Sequence, residues 1–537
     1  MAQLVLGGKP RGVHPFFIQL RSMTDHRPLP GITLGDIGPK LGFNSSDNGF
    51  CRFHHVRVPR DSLLGGVAEV SAEGRYLLVP GGEKQAYGAM LAVRASLVMG
   101  ASASLGRALT IAFRFAAVRT QGFDEGKGVA PGTERQVLDY PTQQRMLVPL
   151  LALAYALHFS GQHMQSAYYH YLDTQDASAL PDLHATSAGL KALVTQTVAD
   201  GIEAARKMCG GHGFSQFSGL PEISANYLAL ATLEGTQQVL EPQTARHLLR
   251  ALAAARMGKK LSVAVAYLAP SAPSASTVHT RGGVDLRKPE TQLLLFKGRA
   301  RAAVVAAEEA VAAEGGGGGA EGREAMVRAA VDLSRATRAH CQLHMLEQFT
   351  AGVEDHALQA MAEAGGGHTG YVRAPVEGLN TRESAVLASL RDLFALSIVE
   401  ENMGDFLEHG LLDRSCAALV RREVRQLCSE LRLEAVCLTD AWQFTDKYLG
   451  SALGRNDGRV SFVVFLSVCF ILLRFGVFFA CFNACFFFCV FWCSVRLFCV
   501  VFSHGIKRQM SSVMCVYLCV CYSLLGVFCF CCAVLNV

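Results

Sequence analysis

Along residues 1–80 the apolar positions come in short or alternating runs, at 4–6, 16–20 and 50–58, separated by the turn-rich clusters LPGITLGDIG and NSSDNG. That spacing predicts a small β region. From about Glu83 the period changes. Residues 83–119 and 142–172 are long Ala/Leu-rich stretches, a third helical pattern covers 184–208 and stops at Gly210-Gly211, and a fourth begins after Gly235 and runs to about Met257. A glycine pair is a common helix stop, and four long helices in succession predict an antiparallel bundle.

The segment 269–283, APSAPSASTVHTRGG, is rich in Pro, Ser and Gly and marks a domain boundary. Helical patterns resume at 290–314, 323–350, 382–402 and 415–431, with the five glycines Gly315 to Gly319 read as a surface loop. No repeat of fixed period is present. The reading is mainly α with a small β domain: 1–80 β, 81–268 a four-helix bundle, 269–283 a linker, 284–459 a second helical domain, and 460–537 a tail of different composition.

Composition sharpens that last division. The 78 residues 460–537 hold 15 of the 31 Phe and 12 of the 18 Cys, with four basic residues and no acidic one. Without them the chain has 46 basic and 45 acidic residues, so the net charge of +5 becomes +1. A nearly neutral body excludes nucleic-acid binding through bulk charge. Its six cysteines show no C-x-x-C pair, which fits neither a disulfide framework nor a zinc site. The tail contains apolar stretches long enough to span a bilayer, at 475–495 and 513–535. Its Phe and Cys runs lack any helical or strand period, and it reads more simply as translated non-coding sequence than as an anchor. A membrane enters the picture only through that tail.

Several residues are candidates for chemistry. Gly210, Gly211 and Gly213 follow a helix, where the backbone either caps that helix or approaches a ligand and offers N–H groups to a pyrophosphate. Glu234 ends the apolar run YLALATL. Such neighbours would desolvate its carboxylate and raise its pKa, as a general base requires; the plainer alternative is an exposed loop acid. Arg119 and Gln121 close the first long helix, and Arg119 suits either a phosphate or the helix dipole. His340 and His344 stand four apart on a helix, a two-His metal spacing, but no nearby acid completes a motif and solvated helix histidines are the simpler reading. No metal is expected.

Together these segments resemble the acyl-CoA oxidase family of the acyl-CoA dehydrogenase superfamily. The stretches carrying the resemblance are RPLPGITLGDIGPKLGF, DNGF, LPDLHATSAGLKAL, CGGHGFSQFSGLPEI, LEGTQQVLEPQTAR, GDFLEHG and LGSALGRNDG, in that order from residue 1 to about Val460. The resemblance implies a partial oxidase fold: a β-barrel remnant, the bundle, and the second helical domain that separates oxidases from the shorter dehydrogenases. It further implies bound FAD and conversion of a fatty acyl-CoA to the trans-2-enoyl-CoA in β-oxidation, with O2 reduced to H2O2. Glu234 matches the family's base. The backbone N–H at Glu234 and the neighbouring Gly235 fall where the substrate's thioester lies, and Arg94 is a candidate for substrate or CoA contact. Gly210, Gly211, His212 and Gly213 match the loop that meets the FAD of a neighbouring subunit, implying a homodimer. Arg119 and Gln121 match the pair on its pyrophosphate side. Thr236 matches the dehydrogenases' EGT pattern rather than the EGEN or EGDN commoner in oxidases. The alternatives are a dehydrogenase serving a protein electron acceptor, and an inactive truncated subunit acting as an interaction partner.

Three departures stand against the pattern. The family's N-terminal helical domain and first β strands are expected to precede the match. Pro141 stands where a glutamine is usual. The chain ends Leu535-Asn536-Val537 rather than in a Ser-Lys-Leu-like signal, so a peroxisomal location rests on the resemblance.

Overall fold

The computed structural model describes residues 1–459 apart from 67, 80–81, 125–129, 177, 273–284, 317–318 and 355–380. The expected tail, and most of the expected linker, lie outside the described residues.

Residues 1–80 form three separate two-stranded antiparallel ladders: β1 (Ala2–Leu6) with β2 (Lys9–His14), β3 (Ile32–Asp36) with β4 (Gly49–Phe53), and β5 (Ala68–Val70) with β6 (Tyr76–Leu78). Residues 16–20, predicted extended, form no strand; Phe16 makes a single bridge to Leu63. Gly31 shows why the second ladder needs glycine. Its φ is +79°, and a Cβ there would sit 2.6 Å from the His54 carbonyl oxygen.

The bundle follows: α1 (Gly82–Val118), α2 (Pro141–Thr174), α3 (Leu180–Met208), the short α4 (Gly210–Phe214) and α5 (Leu220–Leu228), and α6 (Gln237–Arg256). Ala and Leu favour the helical state throughout, and Pro141 begins α2 at the position where a missing N–H costs nothing. Side-chain pairs fix the directions. Ser102 donates to the Ala154 carbonyl (2.8 Å), and Gly161 lets Met99 approach, so α1 and α2 are antiparallel. Gln143 donates to the Met208 carbonyl (3.0 Å), and Gly201 lies against Leu150, so α2 and α3 are antiparallel. Thr244 donates to the Ala185 carbonyl (2.7 Å) while His247 meets Asp182 (2.8 Å), so α6 runs back along α3. The predicted bundle is present. Its core is Leu105, Leu109, Ile111, Phe113, Leu147, Leu151, Leu190 and Val198, each 0–1% exposed, and each worth roughly 1.5–3 kcal/mol of transfer free energy. Residues 90–118 are long and apolar enough to cross a membrane by composition, yet most of that surface is buried within the protein.

Between α1 and α2 a ladder absent from the sequence reading, β7 (Thr120–Phe123) with β8 (Glu134–Gln136), turns the chain. Beyond residue 285 come α7 (Pro289–Ala313), α8 (Gly319–Arg328), α9 (Ala330–Glu354), α10 (Thr381–Glu401), α11 (Met403–Glu408), α12 (Cys416–Leu431), α13 (Ala435–Asp440) and α14 (Asp446–Leu449). The single helix expected over 323–350 is interrupted at Ala329. This second set packs directly onto the first. Phe349 stacks on Phe159 of α2 with ring centroids 5.2 Å apart, Thr337 donates to the Glu241 carbonyl of α6 (3.0 Å), and Arg145 pairs with Glu400 (2.6 Å).

That packing corrects the reading of His340 and His344. They are buried rather than solvated, because α9 lies against α2 and α6. His340 Nδ1 meets the Tyr267 hydroxyl at 3.1 Å. Among the described residues no group of three His, Cys, Asp or Glu side chains is arranged to hold a metal.

Candidate active site

The sequence-predicted residues fall in two groups, one at the C-terminal end of α3 and one beside Lys191 in its N-terminal half. At its C-terminal end α3 stops at Met208, and Gly210 takes φ +58° to start α4. The three glycines differ in what they do. A Cβ on Gly213 would sit 2.0 Å from the Arg206 carbonyl oxygen, so Gly213 is required for packing α4 under α3. A Cβ on Gly210 or Gly211 would meet nothing within 4 Å. Their backbone faces open space.

His212 stacks obliquely on Phe115 (5.4 Å), and burial, with the nearby Arg119 charge, holds its pKa below the ordinary imidazole value. Arg119 follows α1 directly, its N–H donating to Phe115 (2.9 Å), and its side chain is exposed. Gln121 lies on β7 rather than closing the helix; the Tyr140 hydroxyl donates to its carbonyl (2.8 Å) and leaves its side chain exposed. An exposed guanidinium, an imidazole and two unobstructed glycines make a donor set that fits a pyrophosphate such as that of FAD. Phe214 and Phe217 beside them are 80% and 72% exposed and offer apolar surface.

The second group surrounds Glu234. A 3-10 turn (Ala229–Ala231) runs into Leu233, whose N–H donates to Ala229 (2.9 Å). Glu234 then adopts φ +58° and Gly235 φ +106°. A non-glycine residue in the left-handed region costs roughly 1–2 kcal/mol, and such outliers concentrate at working sites. A Cβ on Gly235 would also lie 2.9 Å from Leu240 Cδ2, so a larger residue there would require Leu240 to shift. Thr236 occupies the N-cap of α6, yet its side chain makes no capping bond and remains available to a ligand.

The carboxylate of Glu234 is exposed, the plainer of the two readings of that acid, rather than desolvated by its apolar neighbours. The reason is directional. Ile223 and Tyr227 turn the apolar face of α5 into the core, while Leu228 and Leu233 are themselves 40% and 51% exposed and do not enclose the acid.

Behind Glu234 lie two buried cations. Arg94 of α1 is 3% exposed, with Nε and Nη1 lacking a hydrogen-bond partner among the described residues. Burial pulls its pKa down and the Glu234 charge opposes that shift. Lys191 of α3 is wholly buried, and its Nζ donates to the Gly235 carbonyl at 2.6 Å. Burial and then Arg94 lower its pKa, again against Glu234. His184 is held down by burial and by Arg94. Sequence reading did not single out Lys191. The available signal was a lysine inside the otherwise uncharged run ATSAGLKALVTQTVA.

Lys191 and Cys209 are 18 positions apart on and just beyond α3, about 27 Å along a helix axis. One ligand reaches both groups only if it is long or if a second copy supplies one of them.

Comparison with known proteins bears on this arrangement. Residues 87–249 match the family model "Acyl-CoA oxidase, C-alpha1 domain", and residues 288–461 match "Acyl-CoA oxidase". Peroxisomal acyl-coenzyme A oxidase 1 of Arabidopsis thaliana is 40% identical over 470 residues, covering 86% of this chain and 66% of the relative. The chain thus spans about two thirds of the length of the curated relatives it matches. The solved structure of Arabidopsis thaliana acyl-CoA oxidase 1 superposes with a TM-score of 0.77 at 37% identity, over 87% of this chain and 68% of that one. Acyl-CoA oxidase-1 of Caenorhabditis elegans, solved with FAD and ATP, gives 0.76 at 33% identity, over 87% and 66%.

Proposed function

The chain belongs to the acyl-CoA oxidase family, and from that premise we propose that it takes part in the FAD-dependent α,β-dehydrogenation of fatty acyl-CoA to trans-2-enoyl-CoA, with O2 as acceptor, in peroxisomal β-oxidation. The observation that carries the reading is the Glu234 turn: an accessible carboxylate in a left-handed backbone, with the buried Arg94 and Lys191 behind it.

In this reading Glu234 takes the proton from the substrate's α-carbon, and the backbone N–H at Glu234 donates to the thioester oxygen as negative charge develops there. Arg94 lies within electrostatic reach of the same charge and has two unpaired nitrogens to direct at the acyl-CoA. Arg119, Gln121, Gly210, Gly211 and His212 would hold the FAD pyrophosphate, and Thr236 a further FAD contact; Gly213 serves by packing α4. FAD held there would supply a two-electron acceptor for the β-hydride, with O2 as the final oxidant reduced to H2O2. The distance between the two groups supports a homodimer in which each copy completes its neighbour's site.

Thr236, in the pattern EGT, favours a second reading: a dehydrogenase whose electrons go to a protein. One experiment separates them. The purified chain, reconstituted with FAD and a saturated acyl-CoA, should form enoyl-CoA and H2O2 in equal amounts with O2 as sole acceptor, and Glu234→Gln should abolish both while flavin stays bound. Dehydrogenation only with an artificial electron acceptor would favour the second reading, and an active Glu234→Gln would remove the base assignment.

A further inference from the structure

Lys191 is a wholly buried ammonium with no carboxylate at ion-pair distance among the described residues. Ala188, Ala192 and Leu240 form one buried apolar cluster along its stretch of α3, with the charges of Arg94 and Glu234 nearby. Removing an ammonium from water is costly, and an aliphatic residue would fill the same space without that cost. Its Nζ donates to a single described acceptor, the carbonyl of Gly235. That carbonyl belongs to the second of two successive left-handed residues, Glu234 and Gly235, and no helix or strand among the described residues includes them. The next carbonyl, of Thr236, receives the N–H groups of Val239 (3.0 Å) and Leu240 (3.1 Å), which start α6.

We propose that Lys191 is a positioning residue for Glu234: its bond to the Gly235 carbonyl locks the left-handed turn, so that the carboxylate keeps one direction relative to Arg94. This rests on the reading of Glu234 as the base. The held carbonyl sits beside the first turn of α6, where a Cβ on Gly235 would lie 2.9 Å from Leu240 Cδ2. The Arg94 charge repels Lys191 and the Glu234 charge attracts it, so the ammonium is biased toward the turn it bonds.

The test compares wild-type chain, Lys191→Met and Lys191→Arg by amide hydrogen exchange and by turnover. In Lys191→Met, exchange at Val239 and Leu240 should quicken about tenfold or more while the rest of α3 and α6 keeps its protection, and Lys191→Arg should restore most of it. In the FAD-reconstituted protein the Met variant should lose about 10²-fold in kcat, as expected for a misplaced reacting group, with KM little changed. Unaltered exchange at the turn, loss of protection spread over both helices, or a full kcat beside a loosened turn would each overturn the proposal. If the wild-type chain turns over no substrate, exchange decides alone. An active Glu234→Gln would sink the base assignment while leaving the exchange result to stand as a structural lock.

Discussion

Arg114 in α1 and Asp440 at the end of α13 are 326 positions apart in sequence and joined by two hydrogen bonds, from Nε (3.0 Å) and Nη2 (2.7 Å) to the same carboxylate oxygen. The third arm, Nη1, donates to the Gly454 carbonyl (2.7 Å). The guanidinium is nearly buried while Asp440 keeps 40% of its side chain exposed. One side chain of the first bundle helix therefore anchors the last described segment. Arg114→Ala should lower the free energy of unfolding by about 2 kcal/mol, through lost bonds and a stranded carbonyl. Asp440→Asn should cost about 1 kcal/mol or less, since water already screens that partner. Urea denaturation of both variants checks the order.

A seam of histidines should make stability fall in acid. His340 is pushed down to about 4 by burial, with His247 adding and Asp182 opposing. His344 lies well below its ordinary value by burial and by the charges of His163 and His340, and burial lowers His163 too. These groups are neutral when folded and take up protons more readily when unfolded. Their contribution is complete above about pH 6.5 and is lost as pH falls from there toward 4. Glu347, raised by burial, works in the opposite sense near and above its own range. The urea midpoint should be level near pH 7–8 and drop steeply between pH 6.5 and 4. His344→Phe, which removes a nitrogen without a partner, should flatten the drop.

The helices were legible because their signals are local: Ala/Leu content and a glycine pair at a helix end. Glu234 and the glycines were legible through short motifs. The rest depended on contacts distant in sequence. Nothing near His340 reveals that Tyr267 will face it, and nothing near Lys191 reveals the Gly235 carbonyl 44 positions away. The exposure of Glu234 stayed open between a desolvated base and an exposed loop acid for the same reason. An apolar run specifies that some face is buried, but which one follows from where α5 docks. Residues 120–136 failed differently, because two strands of four and three residues carry too little pattern to register.

The glycines after α3 separate packing from ligand approach. Gly213→Ala forces a methyl into the Arg206 carbonyl and should lower Tm by several degrees. Gly211→Ala meets open space, so Tm should hold within a degree or two. If the open backbone approaches a pyrophosphate, the same variant should retain less FAD on gel filtration, measured by absorbance near 450 nm. Equal Tm and equal flavin content would remove Gly211 from the cofactor contacts.

Arg94 offers the sharpest trade of stability against function. Its Nε and Nη1 are buried and without a partner among the described residues, so the folded chain carries a desolvation cost, offset only in part by the Glu234 charge, that bound substrate would relieve. Arg94→Met keeps the aliphatic length and removes the charge. It should raise the free energy of unfolding by about 1 kcal/mol, and Lys191 should gain from the loss of a repelling neighbour. The same variant should lose at least tenfold in kcat/KM for acyl-CoA, because the group aimed at developing negative charge is gone. Thermal denaturation with and without acyl-CoA tests both halves. The wild-type chain should be stabilised more by ligand than Arg94→Met, and a variant both less stable unliganded and unchanged in its response to ligand would show that Arg94 is a packing residue instead.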